Sequence, residues 1–339
     1  MENENKKIAR VTTEYKGAYK VKNENGEFLA RVTGKHMFNA SAREDFPAVG
    51  DFVLIDELPE GQAVIREILP RKTIIKRKFI GKSGAQIIAT NIDVAFIVES
   101  VGRDFNLNRF ERYFAIARDG GIKPAIIINK IDLIADDELK DKLDLVRNRF
   151  PNIDIIKTSA VKNEALDELK KYLEKDKTYC FLGSSGVGKS SLINSLLGKD
   201  LIKTEEISSY SERGKHITTS RQMYFLGNGG IVIDNPGMRE VGMADVAEGI
   251  DSFFNEISEL SKNCKYNNCT HVHEKNCAVL KALEDGKIDR EQYQNYINLK
   301  KESEYYEMSE VEKRQEDKDF GKFLKKSKEL FKEYGHKDY

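Results

Sequence analysis

Short apolar runs separated by polar turns fill the N-terminal part of the chain, over residues 1–75. Runs rich in Val, Ile and Phe lie at 18–22, 28–32, 51–56 and 63–69. Turn-forming pairs such as Asn25-Gly26 separate them, as is typical of connections between short strands. With about five strands over this length, the pattern predicts a small β-barrel.

From about residue 85 the pattern changes to an alternation of strands and helices. Helical stretches at 107–118, 137–149, 165–174 and 189–197 follow apolar strands at 93–99, 124–128, 153–157 and 178–182. Two more strands, 222–226 and 231–234, close this region. The strict alternation predicts a parallel sheet covered by helices.

The last part of the chain is helical and highly charged. The helical pattern starts near residue 246 and includes the stretches 290–301 and 320–334. We therefore predict a multidomain protein. Its domains are a barrel over 1–78, an α/β domain over 85–242 and a helical domain over 243–339.

Composition agrees with a folded chain of two or three domains, at roughly 150 residues per domain. Of the 339 residues, 40% are hydrophobic and 33% charged, with only 6 Pro and 24 Gly. These values exclude collagen, low-complexity chains and wholesale disorder. Lys and Arg (56) balance Asp and Glu (56), so any contact with nucleic acid must rest on a local patch.

The sequence carries no sign of export or membrane insertion. Residues 1–10 lack the apolar region of a secretory signal. The longest apolar stretches, such as 94–98 and 125–128, fall far short of the roughly 20 residues of a membrane helix. We expect a cytoplasmic protein with no membrane partner. Nothing suggests a large exposed apolar seam, so a monomer is expected.

A phosphate-binding loop lies between the strand 178–182 and the helix 189–197. The pattern G-x-x-x-x-G-K-S/T is matched by Gly183, Ser184, Ser185, Gly186, Val187, Gly188, Lys189 and Ser190. Its glycines let the backbone turn so that N–H groups and the positive helix end hold phosphates. Lys189 is expected to reach the β- and γ-phosphates and Ser190 to bind Mg²⁺. Ser191 is a further candidate nucleotide contact.

A base-reading motif follows the strand 124–128 and consists of Asn129, Lys130, Ile131 and Asp132. A carboxylate at the base edge accepts hydrogen bonds from guanine N1–H and the N2 amine, a donor pair that adenine lacks. We therefore expect Asp132 to select guanine, Asn129 to bridge base and loop, and the Lys130 stem to cover the base. On its own such a tetrapeptide usually marks a solvated turn. Its place at a strand tip, in a chain with a phosphate loop, favours the functional interpretation.

The next strand ends in Thr158, Ser159 and Ala160. We expect a backbone N–H of this element to meet guanine O6, with Ser159 and Ala160 as the candidate contacts.

A second carboxylate motif ends the strand 231–234 with Asp234, Asn235, Pro236 and Gly237. A carboxylate there holds Mg²⁺ through water, and the Gly237 N–H meets the γ-phosphate. The residue after it, Met238, cannot orient water by hydrogen bonding as glutamine does. The residue that positions the hydrolytic water is therefore left open.

The loop 213–220 is a candidate switch. A threonine in it completes the Mg²⁺ shell when the γ-phosphate is present, and release of that contact after hydrolysis switches the loop. Thr219 is preferred narrowly over Thr218 for this role. His216 either helps to position water or stabilise charge, or is a plain solvent-exposed histidine.

The cysteines point to a metal site. Three thiols and one imidazole lie close together at Cys264, Cys269, His271 and Cys277. In a chain without an export signal such clustering favours metal over disulfides, and this donor set suits tetrahedral Zn²⁺. Because protein side chains fill all four positions, we predict one structural ion. His273 is an alternative ligand, three free thiols are the alternative state, and Cys180 is expected to pack in the core.

The motifs occur in an unusual order. The base-reading motif precedes the phosphate loop, whereas a Ras-like chain begins with the phosphate loop. The set is complete but rotated, which circular permutation allows because domain termini often lie close together. A rotated GTPase between a barrel and a Cys/His cluster resembles the RsgA (YjeQ) family of bacterial small-ribosomal-subunit biogenesis GTPases. The motifs described above, including 214–219, carry this resemblance, which covers most of the chain, residues 5–300.

The resemblance implies an N-terminal OB-fold barrel, a circularly permuted P-loop GTPase domain and a C-terminal zinc-binding domain, with zinc on the four residues named above. It implies GTP and GDP binding with Mg²⁺, GTP hydrolysis stimulated by the 30S subunit, and a role in late maturation of that subunit and contact with its rRNA. His216, Thr219 and Lys189 are the candidate catalytic residues. Asn235 replaces a threonine usual in the family and Ile217 interrupts a threonine run. Both are typical of a divergent paralogue.

Two basic stretches are candidate RNA contacts. The run 71–78, at the junction of barrel and GTPase domain, contains Arg71, Lys72, Lys76, Arg77 and Lys78. On charge alone it is equally a solvated strand face, and the resemblance to ribosome binders favours RNA. The stretch 322–328 either adds phosphate contacts or is a solvated amphipathic helix.

Other functions are weighed against the leading hypothesis. A large-subunit assembly GTPase is disfavoured by the barrel together with the zinc cluster. A nucleotide-gated ribosome-binding protein with little hydrolysis is kept open by Asn235, Ile217 and the lack of a catalytic glutamine. A P-loop ATPase would leave Asp132 with no guanine to read. Because the chain runs directly from 234–238 into the zinc-bearing module, we also expect nucleotide state and ribosome affinity to be coupled.

Overall fold

The structure, a computed structural model, describes residues 6–78, 85–102, 105–160, 166–199, 201–202, 221–234, 246–308, 311–315, 318 and 321–322. Several predicted site residues lie outside this part of the chain: His216, Ile217, Thr218, Thr219, Asn235, Gly237 and Met238. Most of the stretches 320–334 and 322–328 lies outside it as well.

The N-terminal domain is the predicted barrel, and five strands form it among the described residues. They are β1 (Lys6–Tyr15), β2 (Ala18–Asn23), β3 (Gly26–Val32), β4 (Phe52–Leu58) and β5 (Gln62–Ile68). β1 pairs with β2 and β4, and β5 pairs with β3 and β4, so the sheet closes on itself. Val11, Val21, Ile55 and Ile65 fill its interior with no exposed surface. A short helix, α1 (Gly34–Asn39), follows β3.

A hairpin of β6 (Ile74–Lys78) and β7 (Ala85–Thr90) joins the barrel to the central domain. The sequence did not predict this hairpin, because basic residues fill one of its strands.

The central domain is a sheet of six strands among the described residues, with helices between them. Its elements are β8 (Val94–Ser100), α2 (Leu107–Asp119), β9 (Lys123–Asn129), α3 (Asp136–Arg149), β10 (Ile155–Lys157), α4 (Leu166–Tyr172), β11 (Thr178–Leu182), α5 (Lys189–Leu197), β12 (Gln222–Phe225) and β13 (Ile231–Asp234). Across the sheet the order is β10-β9-β8-β11-β13-β12. The predicted parallel sheet is confirmed, because β8 pairs in parallel with β9 and with β11, and β9 pairs in parallel with β10. The last strand of this order, β12, runs antiparallel to β13 and also pairs with β1 of the barrel.

The C-terminal module packs its helices against α2 of the central domain. The helices are α6 (Ala247–Phe253), α7 (Asn255–Ser261), α8 (Ala278–Glu284) and α9 (Arg290–Glu307). Phe114 of α2 lies 5.1 Å, centroid to centroid, from Phe253, and an added Cβ on Gly249 would lie 2.1 Å from the Ala115 carbonyl oxygen. The two domains therefore share one core. Among the described residues no helix has both the length and the apolar character that crossing a bilayer requires.

Candidate nucleotide-binding site and metal centre

β11 and α5 position the glycine-rich loop at the carboxyl edge of the central sheet. Gly183, Gly186 and Gly188 have φ values of +147°, +78° and +97°, which residues other than glycine rarely adopt. At Gly183 an added Cβ would lie 2.3 Å from the Val98 carbonyl oxygen, so the loop passes β8 at a distance that only glycine allows. The Lys189 ammonium donates hydrogen bonds to the carbonyl oxygens of Gly183 at 2.7 Å and Ser184 at 2.6 Å. The cation is thus held against the loop itself.

The base-reading motif lies directly against this loop. The Asn129 amide donates a hydrogen bond to the Val187 carbonyl oxygen at 2.8 Å, and the Lys130 ammonium donates one to the Gly186 carbonyl oxygen at 2.7 Å. An added Cβ on Gly188 would lie 2.4 Å from Asn129 Nδ2. Two segments that are distant in sequence therefore form one structure.

The end of β10 holds this motif from the other side. The Thr158 hydroxyl donates to Asn129 Oδ1 at 3.0 Å, and the Ser159 hydroxyl donates to Asp132 Oδ1 at 2.5 Å. Asn129, Thr158 and Ser159 are buried, whereas Asp132 is half-buried. Thr158 thus fixes the orientation of the Asn129 amide. The sequence predicted Ser159 and Ala160 as nucleotide contacts. It did not predict that Thr158 orients Asn129, and the only signal for that role in the sequence is a hydroxyl residue at the end of a strand.

Asp234 ends β13, the neighbour of β11. Burial raises the pKa of its carboxyl to about 6, and the nearby Lys189 ammonium acts in the opposite direction. Ser190 and Ser191 follow Lys189 in the first turn of α5 and are half-buried. The structure therefore brings Asp132, Lys189 and Asp234 to the same edge of the sheet.

The second site lies in the loop between α7 and α8. Four ligand atoms lie within 4.8 Å of one another there, one each from Cys264, Cys269, His271 and Cys277. No other group of this kind occurs among the described residues. The His271 Nδ1 atom is 3.5 Å from the Cys264 sulfur and 3.4 Å from the Cys277 sulfur. Three sulfurs and one nitrogen at these separations fit a tetrahedral ion. His273 does not belong to the group, so the alternative ligand lacks geometric support.

Backbone N–H groups at the start of α8 stabilise the Cys264 thiolate, whereas burial raises the pKa of the Cys277 and Cys269 thiols. Burial acts to raise the pKa of the Cys264 thiol, but the backbone N–H groups of Ala278 and Val279 hold it below its usual range. The Leu280 N–H points at the Cys277 sulfur, 3.4 Å away. Helix N-termini favour thiolates, the form that binds metal. The donor set and its surroundings therefore fit Zn²⁺.

Surrounding hydrogen bonds fix the conformation of the metal loop. The Tyr293 hydroxyl of α9 donates to the His271 carbonyl oxygen at 2.6 Å. The Glu274 carboxylate accepts hydrogen bonds from the backbone N–H groups of Thr270 and Val272, at 2.8 and 3.0 Å. Such partners orient metal ligands.

The structure changes the interpretation of the basic run 71–78. Arg71 is only 14% exposed and pairs with the fully buried Asp51, its Nη2 lying 2.8 Å from Asp51 Oδ2. Thr90 also donates to Asp51 at 2.7 Å, so this cluster fastens the barrel to β7. The charge of Arg71 is therefore paired inside the protein, and contact of the run 71–78 with RNA stays a prediction. Lys72 and Lys76 are exposed, and the side chains of Arg77 and Lys78 lie outside the described part of the chain.

A family model described as RsgA GTPase matches residues 68–244, more than half of the chain. The chain belongs to the RsgA family. The small ribosomal subunit biogenesis GTPase RsgA of Methanosarcina acetivorans is 46% identical over 255 residues, covering 75% of this chain and 69% of that protein. RsgA 2 of Lactiplantibacillus plantarum is 42% identical over 300 residues, covering 88% and 84%. RsgA 1 of Bacteroides thetaiotaomicron is 35% identical over 322 residues, covering 94% and 89%.

Solved structures of this family share the fold. The crystal structure of YjeQ from Thermotoga maritima has a TM-score of 0.66 and 27% identity, and the match covers 87% of this chain and 97% of that one. YloQ, described as a circularly permuted GTPase, has a TM-score of 0.61 and 22% identity, covering 88% and 94%. A second family model, described as 50S ribosome-binding GTPase, matches residues 178–313. The predicted RsgA resemblance, the barrel and the permuted GTPase domain are confirmed.

Proposed function

We propose that this GTPase binds GTP with Mg²⁺ at the carboxyl edge of the central sheet and hydrolyses it during maturation of the small ribosomal subunit. The observation that carries the nucleotide part is the direct bonding of Asn129 and Lys130 to the phosphate loop. A nucleotide whose phosphates lie in the loop then presents its base to Asp132. Because only guanine offers two adjacent donors to that carboxylate, GTP is the expected substrate.

The roles of the site residues follow from this placement. The loop N–H groups from Gly183 to Ser191 receive the phosphates, and Lys189 exchanges its two carbonyl partners for phosphate oxygens. Ser190 and Asp234 would hold Mg²⁺, which neutralises charge on the phosphates.

Three further roles are proposed for residues outside the described part of the chain. Thr219 would supply a hydroxyl ligand to Mg²⁺, and the backbone N–H of Gly237 would bind the γ-phosphate. His216 helps to position water or stabilise charge. Their support is sequence position, because their segments directly precede β12 and directly follow β13.

The assignment to the small subunit rests on the relatives named above, which carry that function in their names. The match to RsgA 1 of Bacteroides thetaiotaomicron covers 94% of this chain, so it extends over most of the barrel and the Cys/His cluster as well as the GTPase domain. We propose the 30S subunit and its rRNA as partners, with the metal loop holding one structural Zn²⁺. A large-subunit role is the second candidate, since the model described as 50S ribosome-binding matches residues 178–313. That match leaves out the barrel.

Binding of GDP and ADP to the full-length protein tests the nucleotide assignment. We expect tight GDP binding and no measurable ADP binding. Asp132→Asn should weaken GDP binding, because an amide presents a donor to one of the guanine donors. The matched control is Asp137→Asn in α3, an exposed carboxylate that should change nothing. Equal affinity of the unmodified protein for GDP and ADP would contradict the proposal.

Affinity for 30S subunits tests the proposed coupling. We expect a GTP analogue and GDP to give different affinities, because the metal-bearing module follows directly on the γ-phosphate-sensing segment. Equal affinities would refute the coupling and leave the nucleotide assignment standing.

A further inference from the structure

β12 joins the barrel to the nucleotide site through a continuous hydrogen-bonded ladder. Thr13 of β1 pairs with Gln222, the first residue of β12. Gln222 pairs on its other side with Asp234, the last residue of β13. The barrel therefore reaches the candidate Mg²⁺ ligand across two strand spacings, a distance of about 10 Å.

Asp234 depends on β12 more than on β11. In the described ladder the pairing of β11 with β13 ends at Cys180 and Ile233. The pairing of β12 with β13 extends one residue further, to Asp234. A shift of β12 would therefore displace Asp234 more directly than it displaces the rest of β13.

Arg221 holds the start of β12 against the barrel. Its Nη1 atom lies 3.1 Å from Glu14 Oε2 of β1 and donates to the Ile87 carbonyl oxygen of β7 at 3.4 Å. The two side chains of this ion pair are only 16% and 25% exposed, so solvent screens the pair less than it screens a surface pair. At the other end of β12, the Lys22 ammonium lies 4.2 Å from the centroid of the Phe225 ring. Both ends of the strand thus contact the barrel region.

We propose that Arg221 is a positioning residue, which sets the place of Asp234 at the nucleotide site by locking β12 to Glu14 of the barrel. A partner that moves the barrel then changes Mg²⁺ binding at the nucleotide site without touching it. The inference rests on the proposed function in taking Asp234 as a Mg²⁺ ligand. Arg221 acts through β12, since the partners described for it lie on β1 and β7.

The first test measures the Mg²⁺ concentration that half-maximally slows release of a fluorescent GDP analogue from the full-length protein. Arg221→Met and Glu14→Gln should raise this concentration roughly five- to tenfold, at the lower end of usual coupling between sites. Affinity for GDP without Mg²⁺ should not change. Arg66→Met is the matched control, because Arg66 pairs with Asp56 on the barrel, away from β12. An unchanged Mg²⁺ requirement in Arg221→Met and Glu14→Gln would overturn the proposal.

The second test is hydrogen exchange of the β12 and β13 amides without nucleotide. Arg221→Met and Glu14→Gln should speed exchange there, and Arg66→Met should not. The charge-swapped double variant, Glu14→Arg with Arg221→Glu, should recover part of the protection and of the Mg²⁺ response, which a general loss of folding would not allow. If the unmodified protein fails to retain GDP, the proposed function fails. Hydrogen exchange of the β12 and β13 amides then still tests whether Arg221 holds β12 in place. Unaltered exchange in Arg221→Met would refute that role.

Discussion

Gly188 is the position where the phosphate loop and the base-reading motif come closest. Its φ of +97° is a backbone conformation that residues other than glycine rarely adopt. A methyl group at this position would lie 2.4 Å from Asn129 Nδ2. Gly188→Ala must therefore displace the Asn129 amide, which donates to Val187 and accepts from Thr158.

Gly186 provides a matched control in the same loop. Its φ is also positive, at +78°, but an added Cβ meets no atom within 4 Å. Both alanine substitutions carry the strain of a left-handed conformation, about 1–2 kcal/mol. Only Gly188→Ala also breaks the two hydrogen bonds of Asn129, each worth about 0.5–1.5 kcal/mol. We expect losses in unfolding free energy of roughly 2–5 kcal/mol for Gly188→Ala and about 1–2 kcal/mol for Gly186→Ala.

Urea denaturation followed by circular dichroism measures the stability difference, and GDP titration measures its functional consequence. Displacement of Asn129 should weaken GDP binding by about 1–3 kcal/mol, a roughly 5- to 150-fold loss. Gly186→Ala should lose far less affinity. Equal losses in the two variants, in stability and in GDP affinity, would show that the contact between Asn129 and the loop is not what joins the two motifs.

Further predictions concern the metal centre and the buried ion pairs. The purified protein should contain one equivalent of zinc by elemental analysis, and chelation should lower the melting temperature. Retention of full stability without metal would contradict a structural role. Glu111→Gln should cost about 3–5 kcal/mol in unfolding free energy, because it breaks the pair of the fully buried Glu111 with Arg149 of α3. Asp144→Asn, which breaks the exposed pair with Arg147, should cost less than about 1 kcal/mol, and similar losses would argue against this account. Asp51→Asn should likewise destabilise the protein by about 3–5 kcal/mol, since Arg71 and Thr90 would lose a fully buried charged acceptor, and thermal melting checks this.

The regular elements of the central domain were predictable because their periodicity is strong. The apolar run of β11 and the start of α5 at Lys189 are where the sequence predicts them. β1 was missed, since it begins with two lysines and its exposed and buried positions do not alternate strictly over its length. The antiparallel direction of β12 is set by its pairing with β13 and β1, which no local pattern records.

The position of the candidate site residues at one edge of the sheet was predictable, but the contacts among them were not, and their chemical roles stay predictions. Motif order and spacing were enough to select Asp132, Lys189 and Asp234. The approach of Gly188 to Asn129 is a tertiary contact, and glycine in a phosphate loop has other local reasons to occur. The ion pair of Arg71 with Asp51 was not predictable either, because charge density along the sequence does not reveal an acidic partner that only the fold brings near.

GTP turnover by the full-length protein with purified 30S subunits, with 50S subunits and with neither tests the central claim most directly. We expect slow hydrolysis alone, strong stimulation by 30S subunits and none by 50S subunits. Stimulation by 50S subunits, or no hydrolysis under any of these conditions, would contradict the account.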